Sequence, residues 1–217
     1  MDLTSIIAVT ATVTSFLCQL IGIEICLHIV RKGGTGEISP APFIAFFVST
    51  CIWLKYGLML KLFNVVLTSG LGTILQFSYI CLYYVYSKKK QLIHQMLVIG
   101  IIILSLPLVY VTYYEVDADK AKRNLGLYCS GLGIMCNASP LATLSKVIEH
   151  KSTESISFPL CFVNFLSSLQ WTMYGAAIKD NVLLIPNALG ILLGLAQFYL
   201  FWKYGCKVSK NSAVQDT

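Results

Sequence analysis

The sequence predicts an all-α membrane protein with seven transmembrane helices, arranged as two parallel three-helix bundles joined by an inverting linker helix. Three observations support this fold class. First, 56% of the 217 residues are hydrophobic and only 12% are charged, which is more apolar surface than a soluble fold can bury. Second, apolar runs long enough to cross a bilayer recur along the chain. Third, the two halves of the chain repeat each other.

The apolar stretches are predicted as helices because lipid cannot hydrogen-bond an open backbone. The stretches 99–108 and 182–200 also lack the polar alternation of a membrane β-barrel. The predicted helices run roughly over 4–30, 42–60, 64–86, 94–114, 124–146, 157–178 and 182–202. The spans leave no room for a soluble catalytic domain, so the sequence argues against an enzyme.

Individual residues mark these elements in order. The first span begins at the N-terminus, where Asp2 and the lack of a basic segment argue against a cleaved signal peptide. The second and sixth spans open at Pro42 and Pro159, since a first turn tolerates proline. The fifth span contains Pro140, and the seventh contains an amide, Asn187. The fourth span has no counterpart elsewhere in the chain.

The charges orient the chain in the membrane. One set of loops carries ten Lys and Arg side chains against four carboxylates, and the opposite set carries five of each. Basic loops stay on the cytoplasmic side, so we expect the N-terminus outside and the C-terminus in the cytoplasm. The net charge of +6 is then a surface facing anionic lipid, and no nucleic-acid partner is implied.

A shift of 118 residues superimposes the two halves. Residues 29–86 and 147–204 share 14 identities in 58 ungapped positions, including Trp53 with Trp171 and the following Tyr-Gly pairs. The shift carries the first span onto the fifth, an even number of crossings, so the repeats are parallel. We therefore divide the chain into a first repeat (1–90), a linker helix with its outer loop (91–123), a second repeat (124–205) and a cytoplasmic tail (206–217).

Two polar side chains occupy equivalent positions within the spans. Asn187 is an amide deep in an apolar helix, and its repeat partner is Ser69. A polar group in lipid needs a partner or a wet cavity. Two readings remain open for Asn187, a substrate contact and an interhelical hydrogen bond that holds the bundle.

The tryptophans form a second pair. Trp53 and Trp171 are each followed three residues later by a tyrosine. An indole inside a span is either an interfacial anchor or a plate on which a ligand stacks. Because a sugar ring has an apolar C–H face and polar edges, an aromatic plate with an amide is a minimal pocket for it.

Helix-disturbing residues form a third set. The shift places Gly22 opposite Pro140, and both loosen a helix. Matching kinks would suit rocking between two openings, and a static kink is the alternative. Glu24 lies within the first span and is a further candidate for function. The eight cysteines contain no CxxC pair, so no disulfide framework, metal site or cofactor is implied.

Several stretches together resemble a known family, the SWEET sugar transporters, which are seven-helix relatives of the bacterial SemiSWEETs. The resemblance covers about residues 5–205, and the short tail is more similar to animal members than to plant ones. Its clearest segments are ASPLATLSKVIEHKSTESISFPL (138–160), QWTMYGAAIKDNVLLIPNALG (170–190) and, around residues 36–57, GEISPAPF with WLKYG.

The resemblance implies facilitative, bidirectional passage of a sugar by alternating access. The family's two sugar-flanking asparagines correspond to Asn187 and, with a departure, to Ser69, and its pocket aromatics correspond to Trp171 and Trp53. Two indoles favour a monosaccharide such as glucose over a disaccharide.

The family's other functional sets also have counterparts. Its four-proline hinge set corresponds to Pro42, Pro140, Pro159 and, with a second departure, Gly22. Its outer gate corresponds to Tyr56 and Asp180.

The resemblance further implies a homo-oligomer, with a trimer as one form, and no cofactor, metal or catalytic residue. The expected membrane is the plasma membrane or a Golgi or other internal membrane. Three other readings stay open from the residues: a transporter of the same fold for another small solute, a seven-helix receptor, and a partner protein that does not transport.

Overall fold

The computed structural model describes residues 2–136, 138–153 and 156–205, and these residues form helices and connecting turns without a strand. The helices are α1 (Leu3–Lys32), α2 (Ala41–Leu60), α3 (Phe63–Tyr86), α4 (Lys90–Val109), α5 (Ala118–Cys136), α6 (Ala138–His150), α7 (Phe158–Ala177) and α8 (Asn181–Tyr204). The all-α fold is therefore confirmed. The predicted tail, 206–217, lies outside the described residues.

Length and composition qualify five described helices as membrane spans, namely α1, α2, α3, α8 and α4 with its π-helical extension Tyr110–Tyr114. Helix α7 has 20 residues, but polar side chains such as Asn164 and Gln170 lower its hydropathy. Helices α5 and α6 together cover the predicted fifth span, and Asn137 between them lies outside the described residues.

One predicted boundary is wrong by several residues. Helix α5 begins at Ala118, whereas hydropathy placed the start at 124. Asp117 explains the earlier start, because its side chain accepts hydrogen bonds from the backbone nitrogens of Asp119 (2.9 Å) and Lys120 (3.2 Å). A carboxylate that caps the first turn allows a helix to begin in polar sequence. Hydropathy predicts only the apolar part of such a helix.

The contacts divide the chain into two compact units. Unit A is 15–132, and unit B comprises 1–14 and 133–217. The core of unit A joins α1, α2, α3 and α4 around Phe43, whose ring lies 5.9 Å from that of Tyr79 and 6.1 Å from that of Tyr83. Tyr83 also donates a 2.6 Å hydrogen bond to the carbonyl oxygen of Ile38, so its buried hydroxyl is satisfied.

Unit B is held by aliphatic and aromatic packing. Leu144 and Val147 of α6 pack against Leu193 and Leu200 of α8. The rings of Phe165 and Phe198 join α7 to α8 at 5.2 Å. These contacts fix the register of α8, the helix that carries the polar position predicted to matter.

Candidate functional site

The repeated tryptophan and tyrosine have the same local structure in both units. The Trp53 and Tyr56 rings meet edge to face at 5.7 Å, and those of Trp171 and Tyr174 at 5.8 Å. The tyrosines are buried, at 3% and 6% exposure. Edge-to-face pairing holds an indole in a fixed orientation, so each repeat presents one rigid aromatic plate. Trp171 is buried at 8% exposure, while Trp53 is only partly buried.

The glycine that follows each tyrosine lies where the next helix approaches closely. A Cβ on Gly57 would lie 3.1 Å from Val65 Cγ1 and 3.2 Å from the backbone nitrogen of Val66. A Cβ on Gly175 would lie 2.9 Å from the backbone nitrogen of Leu184. Because backbone cannot move aside as a side chain can, Gly175 excludes a larger residue, whereas a Cβ at Gly57 would press on α3 more tightly than ordinary van der Waals contact.

Identical turns end α2 and α7. Lys61 and Lys179 both have φ of 57°, in the left-handed region that ends a helix. The backbone nitrogen of Lys61 donates to the carbonyl of Leu58 (3.3 Å), and that of Lys179 donates to the carbonyl of Ala176 (3.2 Å). The repeat read from sequence is thus reproduced in backbone geometry.

Ser69 and Asn187 occupy the same depth in their helices. Each is the seventh residue, in α3 and α8 respectively, which places it roughly 9 Å from the helix start at 1.5 Å per residue. Ser69 is buried at 7% exposure, and Asn187 is partly buried. The structure places Ser69 with Trp53 in unit A, and Asn187 with Trp171 in unit B.

The amide of Asn187 is oriented by its own helix. Its Nδ2 donates a 2.7 Å hydrogen bond to the carbonyl oxygen of Leu183. This bond fixes which end of the amide is the nitrogen, and it directs the carbonyl oxygen Oδ1 to the other side. Pro186, one residue earlier, lacks the N–H that a helix normally donates. Asn187 therefore has one amide end committed to the backbone and offers an acceptor at the other.

Asp180, predicted as an outer-gate residue, also caps α8. Its Oδ1 accepts from the backbone nitrogens of Val182 (2.9 Å) and Leu183 (3.3 Å). A capping carboxylate satisfies N–H groups that the first turn leaves without partners. Any role for Asp180 in gating is therefore additional to a structural one.

Of the predicted hinge residues, Pro42 and Pro159 lie near helix starts. Each is the second residue of its helix, α2 and α7. The second position of a helix accommodates proline without losing an internal hydrogen bond, so these two prolines affect the direction of entry into their helices. Pro140 belongs to α6, and its side chain lies outside the described part of the chain.

Gly22 is held by a close contact with α3. A Cβ at this position would lie 2.3 Å from Tyr79 Cε2, and the Tyr79 hydroxyl donates a 3.1 Å hydrogen bond to the carbonyl oxygen of Gln19. The tyrosine ring thus occupies the space that any side chain would need. Glu24, two residues on, is exposed on the surface of α1.

Gln19 is a polar residue of the first span that the sequence argument did not single out. Its Nε2 lies 3.4 Å from the carbonyl oxygen of Thr68, next to Ser69. Its Oε1 is buried and makes no hydrogen bond within the described part of the chain. The reasoning applied to Asn187, an amide inside an apolar helix, would have found it.

The described residues form helices, five of them long and apolar enough to cross a membrane, and one aromatic turn recurs in both units. This is the architecture of a small transporter built from repeats. Comparison with known proteins gives its family. Residues 2–91 and 123–209 match the family described as sugar efflux transporters for intercellular exchange. The chain belongs to this family, the SWEET transporters, which is a transport family and not an enzyme family.

The similar proteins include animal members named sugar transporter SWEET1. The Drosophila pseudoobscura pseudoobscura protein is 36% identical over 94% of this chain and 89% of its own length. The human protein is 30% identical over 88% of this chain and 86% of its own length. A solved structure of a eukaryotic SWEET transporter superposes with a TM-score of 0.82 at 25% identity, covering 94% of this chain and 99% of that one. The resemblance to animal members is therefore confirmed.

Proposed function

We propose that this chain carries a monosaccharide such as glucose across a membrane, facilitatively and in both directions, by alternating access. Membership of the SWEET family supports the class of substrate and the mode of transport. The observation that carries the proposal within this chain is Asn187, an amide within a spanning helix whose nitrogen is committed to the carbonyl of Leu183. Its carbonyl oxygen accepts a hydrogen bond from a sugar hydroxyl.

Each repeat contributes an aromatic plate and a polar group to sugar binding. Trp171 and Trp53 stack on the apolar C–H faces of the ring, and their edge-to-face tyrosines hold them in orientation. Ser69 contributes a hydroxyl, which is shorter than an amide and both donates and accepts. Two bulky indoles restrict the length of the ligand, and this supports a single sugar ring over a disaccharide.

Movement between the two openings involves the proline and glycine positions of the spans. Pro42 and Pro159 set the entry angles of their helices, and we assign them with Pro140 and Gly22 to the hinge set. Tyr56 and Asp180 form the outer gate.

The placement of the chain in its membrane is part of the same proposal. The N-terminus faces outside and the C-terminus faces the cytoplasm, in the plasma membrane or a Golgi or other internal membrane. The protein works as a homo-oligomer, with a trimer as one form. The positive-inside distribution of charge supports the orientation.

Uptake of labelled glucose into proteoliposomes tests the proposal. Wild type should give saturable exchange in both directions without an ion gradient, and Asn187→Ala should reduce it at least tenfold. Asn181→Ala is the matched control, because Asn181 is an exposed asparagine at the start of the same helix. Folded wild type without glucose flux would refute the glucose assignment, and a panel of other sugars and amino acids would then identify the solute.

A further inference from the structure

Unit A contains an amide in the same chemical situation as Asn187, but on a different helix. Gln19 lies on α1, and its Nε2 is directed at the carbonyl oxygen of Thr68 on α3 at 3.4 Å. As with Asn187, the nitrogen is turned toward a backbone carbonyl and the carbonyl oxygen is left for another partner. Thr68 precedes Ser69, the residue that stands where the family has asparagine.

The carbonyl oxygen of Gln19 is buried without a donor. Neither Oε1 of Gln19 nor the hydroxyl oxygen of Thr68 has a hydrogen-bond partner within the described part of the chain. Leaving a buried acceptor unsatisfied destabilises a fold, and such groups call for an explanation. A ligand hydroxyl would supply the donor that the Gln19 oxygen lacks.

The surroundings make space for this amide. A Cβ on Gly72 would lie 2.8 Å from Gln19 Oε1 and 2.9 Å from Thr50 Cγ2, so a larger residue at 72 would displace the glutamine head from this position. Thr73 donates to the carbonyl oxygen of Ser69 (2.9 Å) and contacts the Thr50 hydroxyl at 3.2 Å. Polar side chains of α1, α2 and α3 thus meet beside Ser69.

We propose that Gln19 is a substrate-contacting residue, whose side-chain carbonyl oxygen accepts a hydrogen bond from a sugar hydroxyl and replaces the amide that is missing at Ser69. This inference rests on the proposed sugar transport and adds a specificity determinant to it. The amide of the first repeat is then supplied from α1, whereas that of the second repeat is supplied from α8. One acceptor at a fixed place selects for a hydroxyl at one position of the ring.

Transport of glucose and of a panel of monodeoxy glucose analogues tests the assignment. Gln19→Met keeps the length of the side chain and removes the carbonyl oxygen. We expect KM for glucose to rise about 3- to 10-fold, the effect of one hydrogen bond to a neutral group. One deoxy analogue lacks the hydroxyl that Gln19 contacts. Its KM in wild type should exceed that of glucose by a similar factor, and Gln19→Met should leave the KM of this analogue unchanged.

Gln76→Met is the matched control. Gln76 is a second glutamine of unit A whose buried Oε1 lacks a partner in the described residues, but it lies seven residues from Ser69 on α3, about 10 Å away at 1.5 Å per residue. Its variant should leave the pattern of deoxy discrimination unchanged. The same loss of discrimination in both variants would overturn the inference, since it would reflect packing or bound water.

Ser69→Asn supplies the second test. In the Gln19→Met background it should restore KM toward the wild-type value, because the amide returns to α3. If Gln19→Met fails to fold, Gln19→Asn is used instead of it. The shorter side chain holds the same carbonyl oxygen one methylene closer to α1. If wild type transports sugar and a folded Gln19 variant still discriminates between glucose and every deoxy analogue as wild type does, this inference alone is refuted. If wild type shows no sugar flux, the proposed function is refuted.

Discussion

Replacement of Gly22 by alanine distinguishes two roles for this residue. It acts either as a hinge or as the position without a side chain against which the Tyr79 ring packs. The added Cβ would lie 2.3 Å from Cε2 of Tyr79, 2.8 Å from its Cδ2 and 2.9 Å from its Cζ. The ring has little freedom to retreat, because Tyr79 is 5% exposed and packs on Phe43 at 5.9 Å. We therefore expect Gly22→Ala to displace the ring and to lose its hydrogen bond to the carbonyl of Gln19.

The size of the effect follows from three contributions. Overpacking a filled site costs about 1–3 kcal/mol, and loss of the hydrogen bond from the Tyr79 hydroxyl adds about 0.5–1.5 kcal/mol. Alanine returns about 1 kcal/mol through its higher helix propensity. The net expectation is a destabilisation of about 2 kcal/mol, or roughly 4–8 °C in Tm for a chain of this size.

Thermal unfolding of the purified protein in detergent measures this change. Gly70→Ala is the matched control, because the nearest atom to its Cβ would be Leu54 Cδ1 at 3.9 Å, and we expect its Tm to equal or exceed that of wild type. A Gly22→Ala protein with wild-type Tm but slower sugar flux would refute the packing argument and favour the hinge.

Three further predictions, two of them with a control variant, test local features. Asp180→Ala should lower stability by about 1 kcal/mol through loss of the α8 cap, and Asp180→Asn should retain most of it, as measured by thermal unfolding of both. Gly175→Ala should cost about 1–3 kcal/mol because its Cβ would lie 2.9 Å from a backbone nitrogen of α8. By contrast, Gly131→Ala, with nothing within 4 Å of its Cβ, should give a Tm equal to or above that of wild type, because alanine has the higher helix propensity. Tyr83→Phe removes a buried 2.6 Å hydrogen bond and should cost about 1 kcal/mol on the same measurement.

The fold was predictable because the bilayer restricts the chain so strongly. Apolar runs of spanning length can only be helices, and the helices lie close to the predicted ranges. The repeat was predictable because its identities fall on residues with fixed geometric roles. Gly57 and Gly175 lie where the next helix approaches closely, and the tyrosines before them pair with indoles in one orientation.

Features without a hydropathy or repeat signal were not predicted. The early start of α5 follows from a capping carboxylate at Asp117, which has no hydropathy signature. Gly22 reads as a helix-loosening residue in sequence, and only the ring of Tyr79 against it reveals the close contact between α1 and α3. Gln19 is a lone amide in sequence, and its unsatisfied oxygen becomes apparent only when Thr68 and Gly72 lie beside it.

The repeats share their backbone but differ in their polar groups, and this difference has a physical basis. The turns at Lys61 and Lys179 and the aromatic pairs tolerate little change, since each residue is fixed by its own unit. The seventh residue of α3 or α8 is constrained less, because a serine or an asparagine there leaves the helix intact. Asn187 orients its amide on its own helix, while the amide nearest to Ser69 in unit A is that of Gln19 on α1, which contacts Thr68. A duplicated scaffold can therefore keep the same aromatic pair in each unit while the polar groups of the two repeats diverge.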